Sequence, residues 1–321
     1  MQAPSQEIIE KAIFKNYIEY QHLFVEFQSK FLSDLYFRHK SIENGNVVLY
    51  FASQTHQEIL RKKDYDFNFD ISLEKFWDNH REIIPKQKSI IKVAEDIHLP
   101  KETARRKILQ LTKQKVLNKK NKNIGWLPDE QYKQIYDLNI SSEIEGISRL
   151  IRYVCEKINI SISNEIVVKE LKDKFSFYWF HHLNVQLEYL KTWSKQFGDL
   201  EILLVALQLA SLFARKTKEK NLSYKDMYEN SSLIKEFMSA SISATSIADV
   251  TGIPRATCVR KLDTLVRLKI VSQDKISKRY YLLPDVTTKN LIPKESTKRV
   301  VKFFSEFYFI CIRALVFKNL S

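Results

Sequence analysis

Apolar residues recur at helical spacing along most of the chain, and this pattern predicts a mainly α-helical protein. We expect helices over residues 7–39, 47–62, 73–84, 142–158, 165–197 and 200–216, and from Val300 to Leu320. The triplet Asn44-Gly45-Asn46 is expected to separate the first two helices, with Asn46 as the N-cap of the second. Residues 129–140 are expected to link two helical blocks.

One stretch of the chain occurs twice. Residues 89–117 align with residues 243–271 without a gap, and 8 of the 29 pairs are identical. Another eight pairs are close substitutions, so we interpret the match as an internal duplication. The spacing from Gly45 to Pro100 is 55 residues and that from Gly198 to Pro254 is 56, which predicts that the repeat includes preceding helices.

Each copy has the pattern of a helix-turn-helix. A short apolar helix is followed by a turn at residues 97–99 or 251–253, where Gly252 favours a positive φ. Pro100 and Pro254 suit the first turn of the next helix, where an N–H group would have no helical partner.

The second helix of each copy is amphipathic and is followed by two short strands. Apolar residues recur at i, i+4 and i+7, namely Ala104, Ile108 and Leu111, then Cys258, Leu262 and Leu265. Residues 116–127 and 270–283 each read as a strand pair around a basic loop. The pattern therefore predicts a winged helix in each half.

The predicted fold is mainly α, with two winged helix-turn-helix units that have small β-wings. Each unit is preceded by a helical block, and a C-terminal helix follows the second. The expected domains are 1–70 (helical block), 71–128 (winged helix 1), 129–222 (central helical block), 223–285 (winged helix 2) and 286–321 (C-terminal helix).

The net charge of +14 is confined to the two predicted winged helices. Residues 86–122 contain 12 Lys or Arg against 3 Asp or Glu, and residues 245–279 contain 8 against 3. These excesses of +9 and +5 account for the whole net charge. Positive charge concentrated on helix-turn-helix units indicates nucleic-acid phosphates as the partner.

The sequence favours a binding protein without catalysis, cofactor or metal. It contains no glycine-rich phosphate loop and no Gly-x-Ser-x-Gly motif. The three cysteines are far apart, which argues against a zinc site or disulfide framework and indicates a reducing cytoplasm. His39, His56 and the pair His181-His182 lack matching metal-ligand spacing, so we interpret them as structural or surface histidines. The N-terminus has no signal-peptide pattern.

Two apolar segments suggest self-association, and neither residues 200–214 nor residues 300–320 are interpreted as a membrane span. The aromatic run 175–180 is interpreted as packed core or subunit interface rather than an effector pocket. The helix from Val300 to Leu320 and the aromatic helix 175–197 are the candidate homodimer surfaces, although the former could equally pack back onto the chain. Residues 200–214 are shorter than the ~20 residues that a membrane-spanning helix needs.

Residues 99–109 and 253–263 resemble the recognition helix of bacterial winged-helix regulators of the MarR, GntR and IclR types. Those helices commonly read hydrophobe-Ser/Pro-Arg-x-Thr-hydrophobe-x-Arg. The matching residues are Lys101, Thr103 and Arg106, then Arg255, Thr257 and Arg260. The resemblance implies that the Lys or Arg and the Thr near the helix start contact phosphate or base edges, and that the later Arg reads or anchors in the major groove.

The resemblance covers about 45 residues in each half. The chain departs from those families because it contains two units and no recognisable ligand-binding domain. The Ile-Pro-Arg-x-Thr-x-x-Arg-Lys phrase is also similar to that of uncharacterised helix-turn-helix proteins from alphaproteobacteria, which implies a bacterial source.

We therefore expect a cytoplasmic, nucleoid-associated transcriptional regulator that binds double-stranded DNA sequence-specifically, with its two winged helices as a covalent pseudo-dimer. One alternative is a plasmid or phage replication initiator with tandem winged helices. Another is a non-catalytic adaptor that binds an acidic protein. The predicted DNA contacts are Lys101, Thr103, Arg105, Arg106, Lys107, Lys119, Lys120, Lys122, Arg255, Thr257, Arg260, Lys261, Lys275, Lys278 and Arg279.

Overall fold

The computed structural model describes residues 4–83, 88–120, 123–219, 238–283 and 294–318. This part of the chain is mainly helical and contains two small antiparallel sheets, as the hydrophobic pattern predicted. Its helices are α1 (Gln6–Lys15), α2 (Tyr17–His39), α3 (Ile42–Tyr65), α4 (Phe76–Glu82), α5 (Ile90–Asp96), α6 (Lys101–Lys113), α7 (Glu130–Lys157), α8 (Asn164–Asp173), α9 (Phe175–Phe197), α10 (Leu200–Glu219), α11 (Ala244–Thr251), α12 (Arg255–Arg267) and α13 (Lys294–Lys318). Its strands are β1 (Leu117–Lys120), β2 (Asn123–Trp126), β3 (Val271–Gln273) and β4 (Tyr280–Leu282).

Three helices before each copy are also repeated, but the spacing that predicted a longer repeat paired Gly198 with Gly45, which lies inside α3. Helices α1 and α8 both contain 10 residues, and α2 and α9 both contain 23. Helices α8, α9 and α10 each begin 158 residues after α1, α2 and α3. The serine before each first helix accepts a hydrogen bond from a backbone N–H, Ser5 from Ile8 at 3.3 Å and Ser163 from Ile166 at 3.4 Å.

The breaks between these helices are also repeated. Asn16, between α1 and α2, has φ −114° and ψ 33°, and Lys174, between α8 and α9, has φ −117° and ψ 42°. Lys40 and Gly198, which follow α2 and α9, both adopt the left-handed conformation, with φ of 56° and 69°. The predicted helices 7–39 and 165–197 are therefore each two helices with a break at the same place.

The expected break at Asn44-Gly45-Asn46 is wrong, because this triplet lies inside α3. Asn44 and Asn46 are 1% and 0% exposed, so Asn46 is not an N-cap. The Nδ2 group of Asn46 donates a hydrogen bond to the carbonyl of Ile97 at 3.2 Å. Burial and this tertiary hydrogen bond outweigh the weak helix propensity of Asn and Gly.

The expected link over residues 129–140 is also wrong, because these residues begin the 28-residue helix α7. Asp129 is its N-cap, and its Oδ1 atom accepts a hydrogen bond from the backbone N–H of Tyr132 at 2.9 Å. Tyr136 and Ile140 are 6% and 1% exposed. Their spacing of four residues places them on one inward face, which favours a continuous helix.

Two helix–hairpin segments, residues 89–126 and 243–282, contain the duplicated stretch. The first has α5, α6, β1 and β2, and the second has α11, α12, β3 and β4. Serine caps the first helix of each: Ser89 accepts from Lys92 N–H at 3.1 Å, and Ser243 accepts from Ser246 N–H at 3.0 Å. The helix predicted over residues 73–84, as the first of winged helix 1, is α4, which precedes the first segment; the start of the predicted winged helix 2 (223–285) lies outside the described residues.

The turn in each helix–hairpin segment has a left-handed residue at the same aligned position. His98 has φ 54° and Gly252 has φ 72°, so the prediction of a positive φ at Gly252 is confirmed. A second left-handed residue follows the second helix of each segment, Lys115 with φ 57° and Lys269 with φ 56°. Four aligned backbone conformations therefore support the duplication that the sequence indicated.

Each segment ends in an antiparallel hairpin. Leu117 lies opposite Trp126 in the first hairpin, and Val271 lies opposite Leu282 in the second. In the second segment, Ile242 adds an isolated bridge to Tyr280, with backbone hydrogen bonds of 2.9 and 2.8 Å. The stretch before α11 is thereby joined to β4, which pairs with β3 on its other side.

The described residues belong to two compact units, each assembled from separate parts of the chain. Compact unit 1 draws on Met1–Ile9, Glu43–Lys191 and Phe303–Ser321, and compact unit 2 draws on Glu10–Ile42 and Thr192–Lys302. Each unit therefore contains one helix–hairpin segment and combines several of the five consecutive domains that the sequence suggested.

Each compact unit combines helices from both halves of the duplication. In compact unit 2, α2 packs along α10, and Gln208 Nε2 donates to Ser29 Oγ at 2.8 Å. In compact unit 1, Ser53 on α3 donates to Asn184 on α9 at 3.0 Å. Since α2 and α9 are equivalent helices, each compact unit combines one helix–hairpin segment with residues of the aromatic helix from the other half.

In compact unit 1, both candidate homodimer helices bury aromatic side chains. Trp179 on α9 is 2% exposed and donates a hydrogen bond through Nε1 to the Tyr136 hydroxyl at 3.1 Å. On α13, Phe304 and Phe307 are both 2% exposed, and the Phe307 ring lies 5.8 Å from that of His182. Of the two alternatives for the C-terminal helix, its described residues pack back onto the chain.

Candidate nucleic-acid interface

Helix α6 presents a charged face to solvent because its apolar residues point inward. Ala104, Ile108 and Leu111 are 0%, 2% and 0% exposed, and Thr103 is half-buried. The exposed residues are Lys101, Glu102, Arg105, Arg106, Leu109, Gln110 and Lys113. Three of the predicted contacts, Lys101, Arg105 and Arg106, therefore lie on the solvent side of one helix.

The cations on α6 differ in how they are held. Arg105 donates through Nε to a carboxylate oxygen of Glu102 at 3.0 Å, so its charge is partly offset. Lys101 and Arg106 form no ion pair with any residue in the described part of the chain. These two cations can therefore meet an external anion without first breaking a salt bridge.

Helix α12 has an equivalent exposed face, on which threonine hydroxyls hold the arginines. Arg255 donates through Nε to Thr245 Oγ1 at 3.1 Å, and Arg260 donates through Nη2 to Thr257 Oγ1 at 3.0 Å. A hydroxyl fixes the direction of a guanidinium group without neutralising it. Asp263 is exposed on this helix at the position where α6 has Leu109, so the two faces differ chemically.

Two of the predicted contacts lie on the inner edge of these helices. Lys107 is 16% exposed, and its Nζ lies 3.8 Å from a carboxylate oxygen of Glu43. At the aligned position, Lys261 is 18% exposed and pairs with Asp199 and, at 3.3 Å, with Glu201. Burial by itself would lower the pKa of Lys261, but the two carboxylates reverse this and raise it. We therefore leave these lysines out of the exposed face.

The second hairpin loop is basic, and the described part of the first hairpin exposes one predicted lysine. Lys119 is exposed on β1, whereas Lys122 and the side chain of Lys120 lie outside the described residues. The second loop exposes all three predicted contacts, Lys275, Lys278 and Arg279. A cationic loop therefore follows the charged helix in the second segment, and Lys119 occupies the corresponding region of the first.

Sequence reasoning missed Gln110 and Lys113, which lie on the exposed face of α6. Gln110 lies four residues after Arg106, and Lys113 lies three residues further, so helical spacing places all three on one side. Leu109, 44% exposed, lies between them. The periodicity of α6 could have identified these residues, because they alternate with its buried stripe.

The histidines and cysteines of the described residues are buried or isolated. No group of three or more His, Cys, Asp and Glu residues in this part of the chain could hold a metal ion. Burial lowers the pKa of His56 and of His182 to about 3, so both rings are neutral at physiological pH. Burial also raises the pKa of Cys155 to about 12, which disfavours the nucleophilic thiolate.

Comparisons with known proteins do not extend these observations: no protein-family model, curated protein or solved structure matches the chain. No single helix in the described residues is both long and apolar enough to cross a membrane, although α9 and α10, taken together as a bent pair, meet the same length and composition test. The functional argument therefore rests on the two exposed helix faces and their loops.

Proposed function

We propose that this chain is a sequence-specific, double-stranded-DNA-binding transcriptional regulator of the bacterial cytoplasm, and that its helix–hairpin segments are winged helix-turn-helix units. The observation that supports this proposal is the repetition of the exposed face. Lys101, Thr103 and Arg106 on α6 recur as Arg255, Thr257 and Arg260 on α12. Of these, the cations Lys101 and Arg106, and at the aligned positions Arg255 and Arg260, are exposed to solvent.

The proposed binding mode places α6 and α12 in the major groove, which admits an α-helix. The N-terminal residues of a recognition helix contact base edges, and Arg pairs with the O6 and N7 atoms of guanine. Arg106 and Arg260 are the proposed base-reading arginines, because both are exposed and aligned. Lys101 and Arg255, at the helix starts, are the proposed phosphate contacts.

Leu109 and Asp263 give the two helices different preferences. An exposed leucine favours the methyl group of thymine, whereas an aspartate accepts a hydrogen bond from the amino group of cytosine. Because these side chains occupy aligned positions, one chain resembles a dimer whose two recognition helices prefer different bases. We therefore propose a covalent pseudo-dimer that binds an asymmetric site.

Selection of bound duplexes from random DNA, followed by fluorescence anisotropy at several salt concentrations, tests this function. We expect a preferred sequence and a decrease in log affinity with log salt of about 0.9 per phosphate contact. Binding to polyglutamate with no affinity for duplex DNA would instead support the adaptor alternative. A change in transcription from a promoter carrying the selected site is expected, whereas replication from that site without such a change would support an initiator.

A further inference from the structure

The loop between β3 and β4 exposes an isoleucine at its tip. Ile276 is 93% exposed, the highest value among the large apolar side chains in the described residues. Single exposed apolar residues are common on protein surfaces and carry no argument by themselves. The local structure around Ile276 is what distinguishes it.

Hydrogen bonds centred on Asp274 hold the loop in one conformation. Its carboxylate accepts from the backbone N–H of Ile276 at 3.4 Å, from the N–H of Ser277 at 2.9 Å, and from the Ser277 hydroxyl. Its own N–H donates to the carbonyl of Arg279 at 2.8 Å, and Lys278 N–H donates to its carbonyl at 2.9 Å. The isoleucine is therefore presented by a preorganised turn, so little ordering is needed on binding.

Positive charge surrounds the exposed isoleucine. Lys275, Lys278 and Arg279 are all exposed, and none forms an ion pair with another described residue. The carboxylate of Asp274 is engaged within the turn, and hydrogen bonds from Ser277 hold its pKa below the ordinary value. The loop thus has an apolar tip, three free cations and a single internally bonded anion.

We propose that Ile276 is an apolar wedge that enters the DNA minor groove and partly unstacks one base step, with Lys275, Lys278 and Arg279 on the adjacent phosphates. Minor-groove proteins insert apolar side chains between base steps and kink the duplex. Pyrimidine–purine steps unstack most readily, so the bound site contains one under this loop. This inference rests on the proposed DNA binding. It adds a local deformation of the duplex under the second loop, which the predicted phosphate contacts alone do not produce.

The surroundings of Ile276 favour DNA over a lipid surface. Only β3 and a short turn separate this loop from α12, whose exposed face carries the proposed phosphate contact Arg255, so the phosphate contacts of the helix and of the loop are close along the chain. Membrane-surface binding instead requires an extended apolar face. The described part of this loop offers one apolar side chain, which fits a single base step.

The test uses the full chain, its selected duplex and three variants: Ile276→Ser, Ile276→Leu and Ile8→Ser. Ile8 is 51% exposed and lies outside both helix–hairpin segments, so its variant controls for loss of an exposed isoleucine. The readouts are DNA bending, by energy transfer between duplex ends, and the fluorescence of 2-aminopurine at the step under the loop. Circular dichroism confirms that each variant is folded.

We expect Ile276→Ser to abolish both the bend and the 2-aminopurine increase, and Ile276→Leu and Ile8→Ser to retain both. If the unaltered chain binds and bends the duplex and Ile276→Ser does so equally, the wedge is overturned while DNA binding stands. If the unaltered chain binds no duplex, the proposed function fails instead. Binding to phosphatidylserine vesicles that Ile276→Ser abolishes, with DNA bending unchanged, would assign the loop to a membrane and overturn the wedge.

Discussion

Neighbouring cations on α12 allow stability and DNA binding to be separated. Lys261 is 18% exposed and pairs with Asp199 and Glu201, whereas Arg260 is exposed and bonded to a hydroxyl. Lys261→Gln and Arg260→Gln remove the same charge from adjacent positions. They therefore change the net charge of the helix equally and differ only in which interaction they remove.

The expected loss of stability follows from the exposure of the three partners. Lys261, Asp199 and Glu201 are 18%, 33% and 19% exposed, intermediate between a surface pair and a buried one. Exposed ion pairs contribute about 0–1 kcal/mol, and removing one partner of a buried pair costs about 3–5 kcal/mol. We therefore expect Lys261→Gln to lower the free energy of unfolding by about 2 kcal/mol. Arg260→Gln should change it by less than about 0.5 kcal/mol.

Urea unfolding gives the free energies, and the salt dependence of duplex binding gives the number of phosphate contacts. Arg260→Gln should weaken binding to the selected duplex, and Lys261→Gln should leave the salt slope unchanged. The aligned pair Arg106→Gln and Lys107→Gln repeats the experiment in the first segment, with a smaller stability effect because Lys107 lies 3.8 Å from one carboxylate. An unchanged urea midpoint for Lys261→Gln, together with a slope reduced by about one, would refute this assignment.

Three further results are expected. Arg106→Ala should weaken duplex binding more than Arg260→Ala, each by about 1–3 kcal/mol. The reason is that α6 has a second cation, Arg105, where α12 has Val259. Equal losses of affinity in an anisotropy titration would contradict this. Changing Lys119, Lys120 and Lys122 together to Ala should weaken all duplex sequences alike and reduce the salt slope by about three, whereas a loss confined to the preferred sequence would mean that this loop reads bases. Burial lowers the pKa of His56 to about 3 and that of His80 to about 4. Histidines of the unfolded chain have a pKa of about 6.5. As the pH falls below that value, the unfolded chain therefore binds protons that the folded chain does not bind. The free energy of unfolding should therefore fall as the pH drops from about 6.5 to about 4, and His80→Phe should flatten that dependence in urea titrations; an equal slope would argue against a buried neutral His80.

The sequence predicted the local features that depend on nearby residues. The duplication, the left-handed turn at Gly252 and the buried stripes of α6 and α12 follow from identity, backbone preference and helical spacing. Local propensity failed at Asn46, because its buried hydrogen bond to Ile97 is made 51 residues away along the chain.

Two features of the site and fold could not be read from spacing. Lys107 and Lys261 border the buried stripes, and their acidic partners come from helices far earlier in the chain. Periodicity also does not predict that α2 packs with α10 and that α9 packs with α3. Equivalent helices carry similar apolar patterns, so the pattern does not show which of two equivalent helices is the packing partner.

Tethered DNA cleavage tests the central claim most directly. The described cysteines, Cys155, Cys258 and Cys311, are all buried, so a cysteine introduced on the surface is modified selectively. Lys113→Cys and Arg267→Cys place an iron chelate at the exposed ends of α6 and α12, and Ile8→Cys serves as the distant control. With one chain on its selected duplex, we expect each helix tether to cut at a different one of two unlike half-sites. Both tethers cutting both halves of a perfect palindrome, or neither cutting above the Ile8→Cys control, would contradict the account.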